Sequence, residues 1–264
     1  MKIICNDLKN EQEELDSIVS NFDENMWNKM TKFADWTVKD EISHLAYFDS
    51  TAKLAAIDRN AFVKSFEEMI KGITNPDEIF KKTLEKGRKM TYSQLLEWWR
   101  EERYQLVNAL IKLEPKKRLP WYGPDMSAKS FATARLMETW AHGQDILDTF
   151  NIPRNVNSRL KHIAHLGVKT FGWSYVNRNL EIPEKNVRVE LHGLDNENLE
   201  WGSEDSEEFV KGNILDFCLV VTKRRHLDDT KLITKGEIAR DWMIKSQAFA
   251  GPPVDGPLPE KFNK

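Results

Sequence analysis

The stretch from Arg135 to Asp145, RLMETWAHGQD, predicts the middle of a buried helix that runs from about Ala128 to Phe150. Within it Glu138 and His142 stand four residues apart, a spacing that stacks both side chains on one face of an α-helix. Six residues make the helix apolar over much of its circumference: Leu136, Met137, Trp140, Ala141, Ile146 and Leu147. A carboxylate in such surroundings needs a partner. One metal ion could bind both side chains.

A second stretch, WTVKDEISHL from Trp36 to Leu45, supplies a further candidate ligand. Thr37 with Asp40 is a capping-box-like helix start, which places His44 about two turns into a helix reaching about residue 57. In a helical bundle, facing helices commonly supply the ligands of one ion. Three protein ligands leave one position open on a divalent ion, as in catalytic sites.

Ordinary packing explains the same residues without a metal. A Glu and a His four apart are usually a solvated pair worth a few tenths of a kcal/mol. His44 could equally be a core histidine between Ile42, Leu45 and Tyr47. From the residues alone both interpretations stay open.

The first two thirds of the chain are predicted to be mainly helical. Apolar residues recur at helical spacing in several segments, which we list as about 5–22, 37–57, 60–72, 77–88, 91–113, 128–150 and 157–179. Four of these helices are long and the others are short. This pattern predicts a helical bundle over residues 1–180.

After Pro183 the pattern changes to that of a small α+β domain, predicted over residues 181–253. Apolar and charged residues alternate over 187–191, and Leu199 to Trp201 could pair with that strand across an Asp195-Asn196 turn. A helix over 214–221, a strand over 231–234 and a helix over 236–250 follow. Residues 254–264 are predicted to be a flexible tail.

Composition narrows the classes of function. The net charge is -3, with 39 Lys and Arg against 42 Asp and Glu spread along the chain, which argues against nucleic-acid binding. Cys5 and Cys218 are the two cysteines, so neither a disulfide framework nor a cysteine-based zinc site is expected. No export signal or membrane-length apolar run is evident, and a cytoplasmic protein is therefore expected.

Three segments carry a resemblance to a known family: Trp36 to Leu45, WYGPDMS from Trp121 to Ser127, and Arg135 to Asp145. Residues 1 to about 180 resemble the DinB-like metal-binding proteins, and within them the mycothiol-dependent maleylpyruvate isomerase N-terminal domain, most closely an uncharacterised metal-binding branch. The resemblance implies a four-helix bundle that binds a divalent metal. The family's histidine and Glu-x-x-x-His pair correspond to His44, Glu138 and His142.

The resemblance also carries functional expectations. The order of elements after Pro183 is similar to the sterol-carrier-like C-terminal domain of the isomerase. An arginine near this place in the isomerase contacts an anionic substrate, and Arg224 is the nearest match. Two imidazoles and a carboxylate favour zinc, although nickel or iron would also fit. The resemblance further implies a low-molecular-weight thiol and an isomerase or transferase reaction, while the oligomeric state stays open.

Several residues near the motifs are candidates for lining the site. Asp145, one turn beyond His142, could orient that imidazole, although an exposed aspartate is an equal alternative. Pocket-wall candidates are Trp36, Trp121, Tyr122 and Met126, and for these core packing or a structural loop is the alternative. For Arg224 the alternative is a basic residue that complements a helix dipole.

Two other classes of function remain open. A non-catalytic module could use the ion only to hold helices together, which a fourth protein ligand would favour. More remotely, segments like Gly236 to Pro253 are sometimes grouped with a tRNA wyosine-modification domain. The sequence lacks the Cys-x-x-x-Cys-x-x-Cys motif and the basic face that such a role would need.

Overall fold

The computed structural model describes residues 1–33, 35–73, 76–194 and 197–262, with the backbone only at 76 and 77. The chain forms two compact units, Met1–Arg154 and Asn155–Lys264. Each unit has its own helices, and the four-stranded sheet belongs to the second.

The first unit is a helical bundle. Its elements are α1 (Lys2–Val19), α2 (Glu24–Trp27), α3 (Val38–Ile57), α4 (Arg59–Ile70), α5 (Pro76–Arg88), α6 (Tyr92–Leu110), β1 (Arg118–Leu119), β2 (Met126–Ser127) and α7 (Ala128–Phe150). Helix α3 packs mainly against α6, α5 and α7, and α1 packs against α7 and α6. The four long helices α1, α3, α6 and α7 are therefore the bundle predicted from the sequence.

Local sequence signals set the ends of the helices that matter for the site. The Thr37 hydroxyl accepts a hydrogen bond from the Asp40 amide, and the Asp40 carboxylate accepts one from the Thr37 amide, which completes the predicted capping box. Helix α7 ends at Asn151, which adopts a left-handed conformation with φ of 53°. The core between the helices is apolar and includes Leu15, Ile42, Leu45, Leu95, Trp99 and Ile146.

The second unit contains α8 (Leu160–Lys169), α9 (Phe171–Val176), β3 (Arg188–His192), β4 (Asn198–Trp201), β5 (Phe209–Asn213), α10 (Ile214–Val221), a 3-10 helix (Leu227–Asp229), β6 (Ile233–Lys235) and α11 (Glu237–Lys245). The strand order is β4-β3-β5-β6, with β3 and β5 parallel and both edge strands antiparallel to their neighbours. The small α+β character expected of this region is present.

Some boundaries differ from those predicted. The single helix expected over 157–179 is two helices, because the chain leaves helical geometry at Thr170. Strand β5 was not predicted, since its short segment includes a glycine and an asparagine that favour turns. The first compact unit ends at Arg154, and α8 packs against α10 within the second unit. The division into domains over residues 1–180 and 181–253 stays a prediction.

The C-terminal segment makes specific contacts. Arg178 donates to the Val254 carbonyl (2.6 Å), and the Val254 amide donates to the Gln247 side chain (3.1 Å). Further along, the Glu260 amide donates to the Asp229 carboxylate at 2.8 Å. Residues within 254–260 thus have hydrogen bonds to the rest of the second unit, and the flexible tail stays a prediction. The predicted Asp195-Asn196 turn lies outside the described residues. In the described part of the chain, every helix is too short or too polar to cross a bilayer.

Candidate metal centre

Helices α3 and α7 bring three predicted ligands together. His44 lies on α3, and Glu138 and His142 lie one turn apart on α7. The Glu138 Oε2 atom is 3.3 Å from His142 Nε2 and 3.7 Å from His44 Nε2. One ligand atom from each residue lies within 4.8 Å of the others, so a single ion could contact all three.

The three side chains differ in exposure. The side chains of His44 and His142 are 9% and 6% exposed, whereas that of Glu138 is 23% exposed. Burial would raise the pKa of Glu138, but hydrogen bonding to His142 and His44 and the charges of both rings hold the pKa well below its ordinary value. Glu138 is therefore an ionised oxygen donor that solvent can reach.

A fourth residue, Glu41, was not among the candidates from the sequence. It lies on α3 three residues before His44, and its Oε2 atom is 2.7 Å from His142 Nδ1. Its other oxygen accepts a hydrogen bond from the Thr31 hydroxyl at 2.9 Å. The sequence carries no signal for this contact, because the burial of Glu41 and its approach to His142 depend on the packing of α3 against α7.

Asp145 was the predicted orienting carboxylate for His142. Its Oδ2 atom lies 3.9 Å from His142 Nδ1, beyond hydrogen-bond distance, while Glu41 is within it. Asp145 is buried and belongs with Glu41 and His142 to a second group of potential ligand atoms. The structure therefore places two carboxylates beside the same ring nitrogen, with Glu41 the nearer.

Aromatic rings enclose the two histidines. Trp36 stacks on His142 with ring centroids 5.8 Å apart and lies 5.1 Å from the His44 ring, and its role as a pocket wall stays a prediction. Phe48 lies 4.5 Å from His44, and Phe33 makes an edge contact with His142 at 5.7 Å. These two phenylalanines were not predicted, because neither belongs to a recognisable motif.

The segment before α7 contributes a more distant layer. Trp121 and Tyr122 lie 6.0 and 5.4 Å from Phe48, and so reach His44 through that ring. Trp121 also stacks on Phe62 at 5.9 Å. Met126 pairs with Leu119 in the short β1–β2 ladder. The structure thus packs this segment onto the bundle, one aromatic ring away from the candidate ligands.

Arg224 lies in the second unit, just beyond the end of α10. Its guanidinium donates to the Thr222 carbonyl at 2.7 Å, and its backbone amide donates to the Leu219 carbonyl at 2.8 Å. These contacts agree with a basic residue that satisfies the carbonyl end of a helix. A catalytic role for Arg224 stays a prediction.

The donor set fits a divalent metal. Two imidazole nitrogens and one carboxylate oxygen are ligands that zinc accepts, and nickel and iron accept the same atoms. The Nε2 atoms of both histidines face the same oxygen of Glu138. This convergence of three potential donors is the chemical feature that distinguishes the site.

The chain is similar to known proteins in sequence and in fold. A sequence model described as the mycothiol maleylpyruvate isomerase N-terminal domain matches residues 8–147. Two uncharacterised proteins, from two strains of Mycobacterium tuberculosis, are each 37% identical to this chain over 250 residues, which cover 95% of this chain and 96% of the relative.

Solved structures extend the likeness to the fold. The crystal structure of the mycothiol-dependent maleylpyruvate isomerase matches with a TM-score of 0.56 at 13% identity, covering 84% of this chain and 89% of that protein. A histidine-to-alanine mutant of the isomerase has the same TM-score and identity, with coverage of 86% and 90%. The predicted fold class, a mainly helical chain with a small C-terminal sheet region, is confirmed.

Proposed function

We propose a metal- and thiol-dependent reaction for this chain, which belongs to the family of the mycothiol maleylpyruvate isomerase N-terminal domain. In this proposal His44, Glu138 and His142 bind one divalent ion in the first unit. The chain then acts with a low-molecular-weight thiol as an isomerase or transferase. Zinc is the metal we favour, and nickel and iron are the alternatives that the donor atoms allow.

The observation that carries the proposal is the convergence of three donor atoms on one point. Glu138 Oε2 has an imidazole Nε2 atom at 3.3 Å and another at 3.7 Å. Both distances are longer than a strong charge-assisted hydrogen bond between these groups. Such spacing suits atoms that share an ion.

Three protein ligands would give the ion an open position, where it would bind a thiol and lower the pKa of the sulfur. The protein's own residues prepare that position. Glu138 reaches solvent, while the aromatic rings of Trp36 and Phe48 cover the histidines and exclude water from them. An apolar wall beside the open position would keep water away and so favour the reaction of the thiol over hydrolysis.

The likeness to the isomerase supports the proposed thiol and reaction class. The matching crystal structure is of an isomerase that depends on mycothiol, and its fold is the fold of this chain. We extend a thiol partner from that protein to this one, with an anionic small molecule as the substrate and the cytoplasm as the location. Fold alone does not transfer a substrate, so the thiol is the part to test first.

Cobalt-substituted protein tests the proposal. Cobalt(II) accepts the same ligands as zinc, and a bound thiolate gives it a charge-transfer absorption that imidazole and carboxylate do not give. We expect this absorption when mycothiol is added to the parent protein, and not when its disulfide is added. An unchanged spectrum at saturating thiol would contradict the thiol-dependent function and favour an ion that only holds helices together.

The matched variant is Glu138→Gln, which keeps the size of the side chain and removes its charge. We expect it to lose most of its cobalt, and with it the thiol-dependent spectrum. If this variant keeps full cobalt and the same spectrum, the assignment of the ligands is wrong.

A further inference from the structure

Glu41 lies on the side of His142 that faces away from Glu138. One ring nitrogen of His142, Nε2, faces Glu138 at 3.3 Å, and the other, Nδ1, lies 2.7 Å from Glu41 Oε2. Glu41 is fully buried, so water does not compete for this contact. A carboxylate that accepts a hydrogen bond from Nδ1–H leaves the Nε2 lone pair directed at the candidate metal position.

Thr31 holds Glu41 from its other oxygen. The Thr31 hydroxyl donates to Glu41 Oε1 at 2.9 Å, and the Thr31 amide donates to the Trp36 carbonyl at 2.7 Å. The loop that contains Thr31 and Trp36 also carries Phe33, whose ring contacts His142, and we call it the aromatic loop. A single chain of contacts therefore runs from the aromatic loop through Glu41 to one of the three candidate ligands.

We propose that Glu41 is a positioning residue, which fixes the tautomer and the orientation of His142 and, through Thr31, ties the aromatic loop to the metal site. This inference rests on the proposed metal function. Carboxylates behind metal-bound histidines commonly change metal affinity by about 10- to 100-fold when they are removed. Glu41 fits this role better than Asp145, because the Glu41 carboxylate lies 2.7 Å from Nδ1 and the Asp145 carboxylate lies 3.9 Å from it.

A second metal ion is the competing assignment for these residues. Glu41, His142 and Asp145 offer ligand atoms within 4.8 Å of one another. An ion there would need His142 to bind metal through both ring nitrogens and to lose its Nδ1 proton. The direct 2.7 Å contact between Nδ1 and the carboxylate is the length of a charge-assisted hydrogen bond, which favours the proton over an ion.

The first test reads the tautomer directly in metal-free protein. Long-range proton–nitrogen NMR correlations of the His142 ring distinguish Nδ1–H from Nε2–H. We expect Nδ1–H in the parent and in Glu41→Gln, whose amide oxygen can still accept, and a mixture or Nε2–H in Glu41→Ala. Nε2–H without Nδ1–H in the metal-free parent would overturn the inference.

The second test measures zinc affinity by competition with a chelator. We expect Glu41→Ala to bind zinc about 10- to 100-fold more weakly than the parent, and Glu41→Gln to fall between them. Asp145→Asn is the matched control, because its carboxylate faces the same nitrogen from 3.9 Å, and we expect a smaller loss from it. Parent-like affinity in both Glu41 variants would overturn the inference, as would two equivalents of zinc per parent chain.

These outcomes separate the two proposals. If His44→Ala and Glu138→Gln keep stoichiometric zinc, the metal site itself is wrong. If those variants lose zinc while Glu41→Gln and Glu41→Ala keep parent affinity, the site stands and the role of Glu41 is wrong. Glu41→Gln guards against misfolding, since it preserves the volume of a fully buried side chain.

Discussion

Two buried polar clusters join α3 to α7, and they differ in how their carboxylates are satisfied. In the first, Asp49 accepts two hydrogen bonds from Arg135 at 2.9 and 3.0 Å, one from Trp99 at 3.1 Å and one from Gln12 at 3.2 Å. In the second, Glu138 has two imidazole nitrogens at 3.3 and 3.7 Å and is partly exposed.

The difference separates a structural cluster from a binding site. Asp49 and Arg135 are 0% and 3% exposed, and the surrounding donors occupy both oxygens of the carboxylate. Glu138 is held more loosely, by groups that can themselves donate electron pairs to a metal. We infer that the first cluster holds the two helices in register and the second presents ligand atoms.

Breaking the Asp49 cluster should have the largest effect on stability. Arg135→Met leaves a buried carboxylate without its cation, and we expect it to lower the free energy of unfolding by about 3 to 5 kcal/mol. Urea unfolding in the absence of metal measures the loss. The double variant Asp49→Leu with Arg135→Met should recover most of it, and a loss below about 1 kcal/mol in Arg135→Met would contradict the structural role.

The next largest effect on stability is expected from zinc, which should act through the Glu138 cluster and not through the Asp49 cluster. At about 100 times its dissociation constant, zinc should stabilise the parent by about 2.7 kcal/mol, because it binds the folded state only. Glu138→Gln should show no such gain, whatever the effect of the substitution on the metal-free stability. A zinc-dependent rise in the melting temperature of Glu138→Gln that equals the parent's would place the ion elsewhere.

A third carboxylate, Asp16, should make the stability of the protein depend on pH. Burial would raise the pKa of Asp16, but hydrogen bonds from Arg100 and Ser20 and the charge of Arg103 hold it below its ordinary value of 3.8. The unfolded chain therefore binds the proton more readily. The stabilisation from Asp16 is full above about pH 5 and is lost as the pH falls through the lowered pKa of the folded state.

The variant Asp16→Asn tests the direction of this pH dependence. We expect the variant to be about 2 kcal/mol less stable than the parent at pH 7, since it loses hydrogen bonds to charged groups. The difference should shrink as the pH falls below 4. Denaturant unfolding at several pH values measures it, and a difference that grows in acid would show that the pKa is raised instead.

The smallest effect is expected at a half-exposed ion pair, in which the buried Asp40 carboxylate also accepts hydrogen bonds from the Thr37 amide and hydroxyl. Arg88 donates to Asp40 at 2.7 Å, but its side chain is 50% exposed, so solvent and salt screen the pair. Arg88→Ala should cost less than about 1 kcal/mol and should leave zinc affinity unchanged. A loss as large as that of Arg135→Met would remove the distinction between buried and exposed clusters.

Sequence patterns predicted those parts of the site whose positions are set by spacing along a single helix. The four-residue spacing of Glu138 and His142 placed them on one face of α7, and the capping box at Thr37 fixed where His44 falls on α3. The helical fold class and the family follow from the same motifs and are confirmed. These features depend on local periodicity, which a single sequence carries.

The parts that were missed depend on contacts between distant residues. Glu41 and His142 are 101 positions apart, and only the packing of α3 against α7 brings them together. Phe33 and Phe48 contact the histidines from a loop and from a neighbouring turn, without a motif of their own. The break at Thr170 was missed because apolar residues continue through it at nearly helical spacing.

Metal content tests the central claim most directly. Elemental analysis of protein purified without added metal should find one equivalent of a divalent metal in the parent, and should find it lost in His44→Ala, Glu138→Ala and His142→Ala. The control His192→Ala removes an exposed histidine on β3 and should keep the full equivalent. Absence of metal from the parent, or equal metal in all five proteins, would contradict a metal centre formed by these three residues.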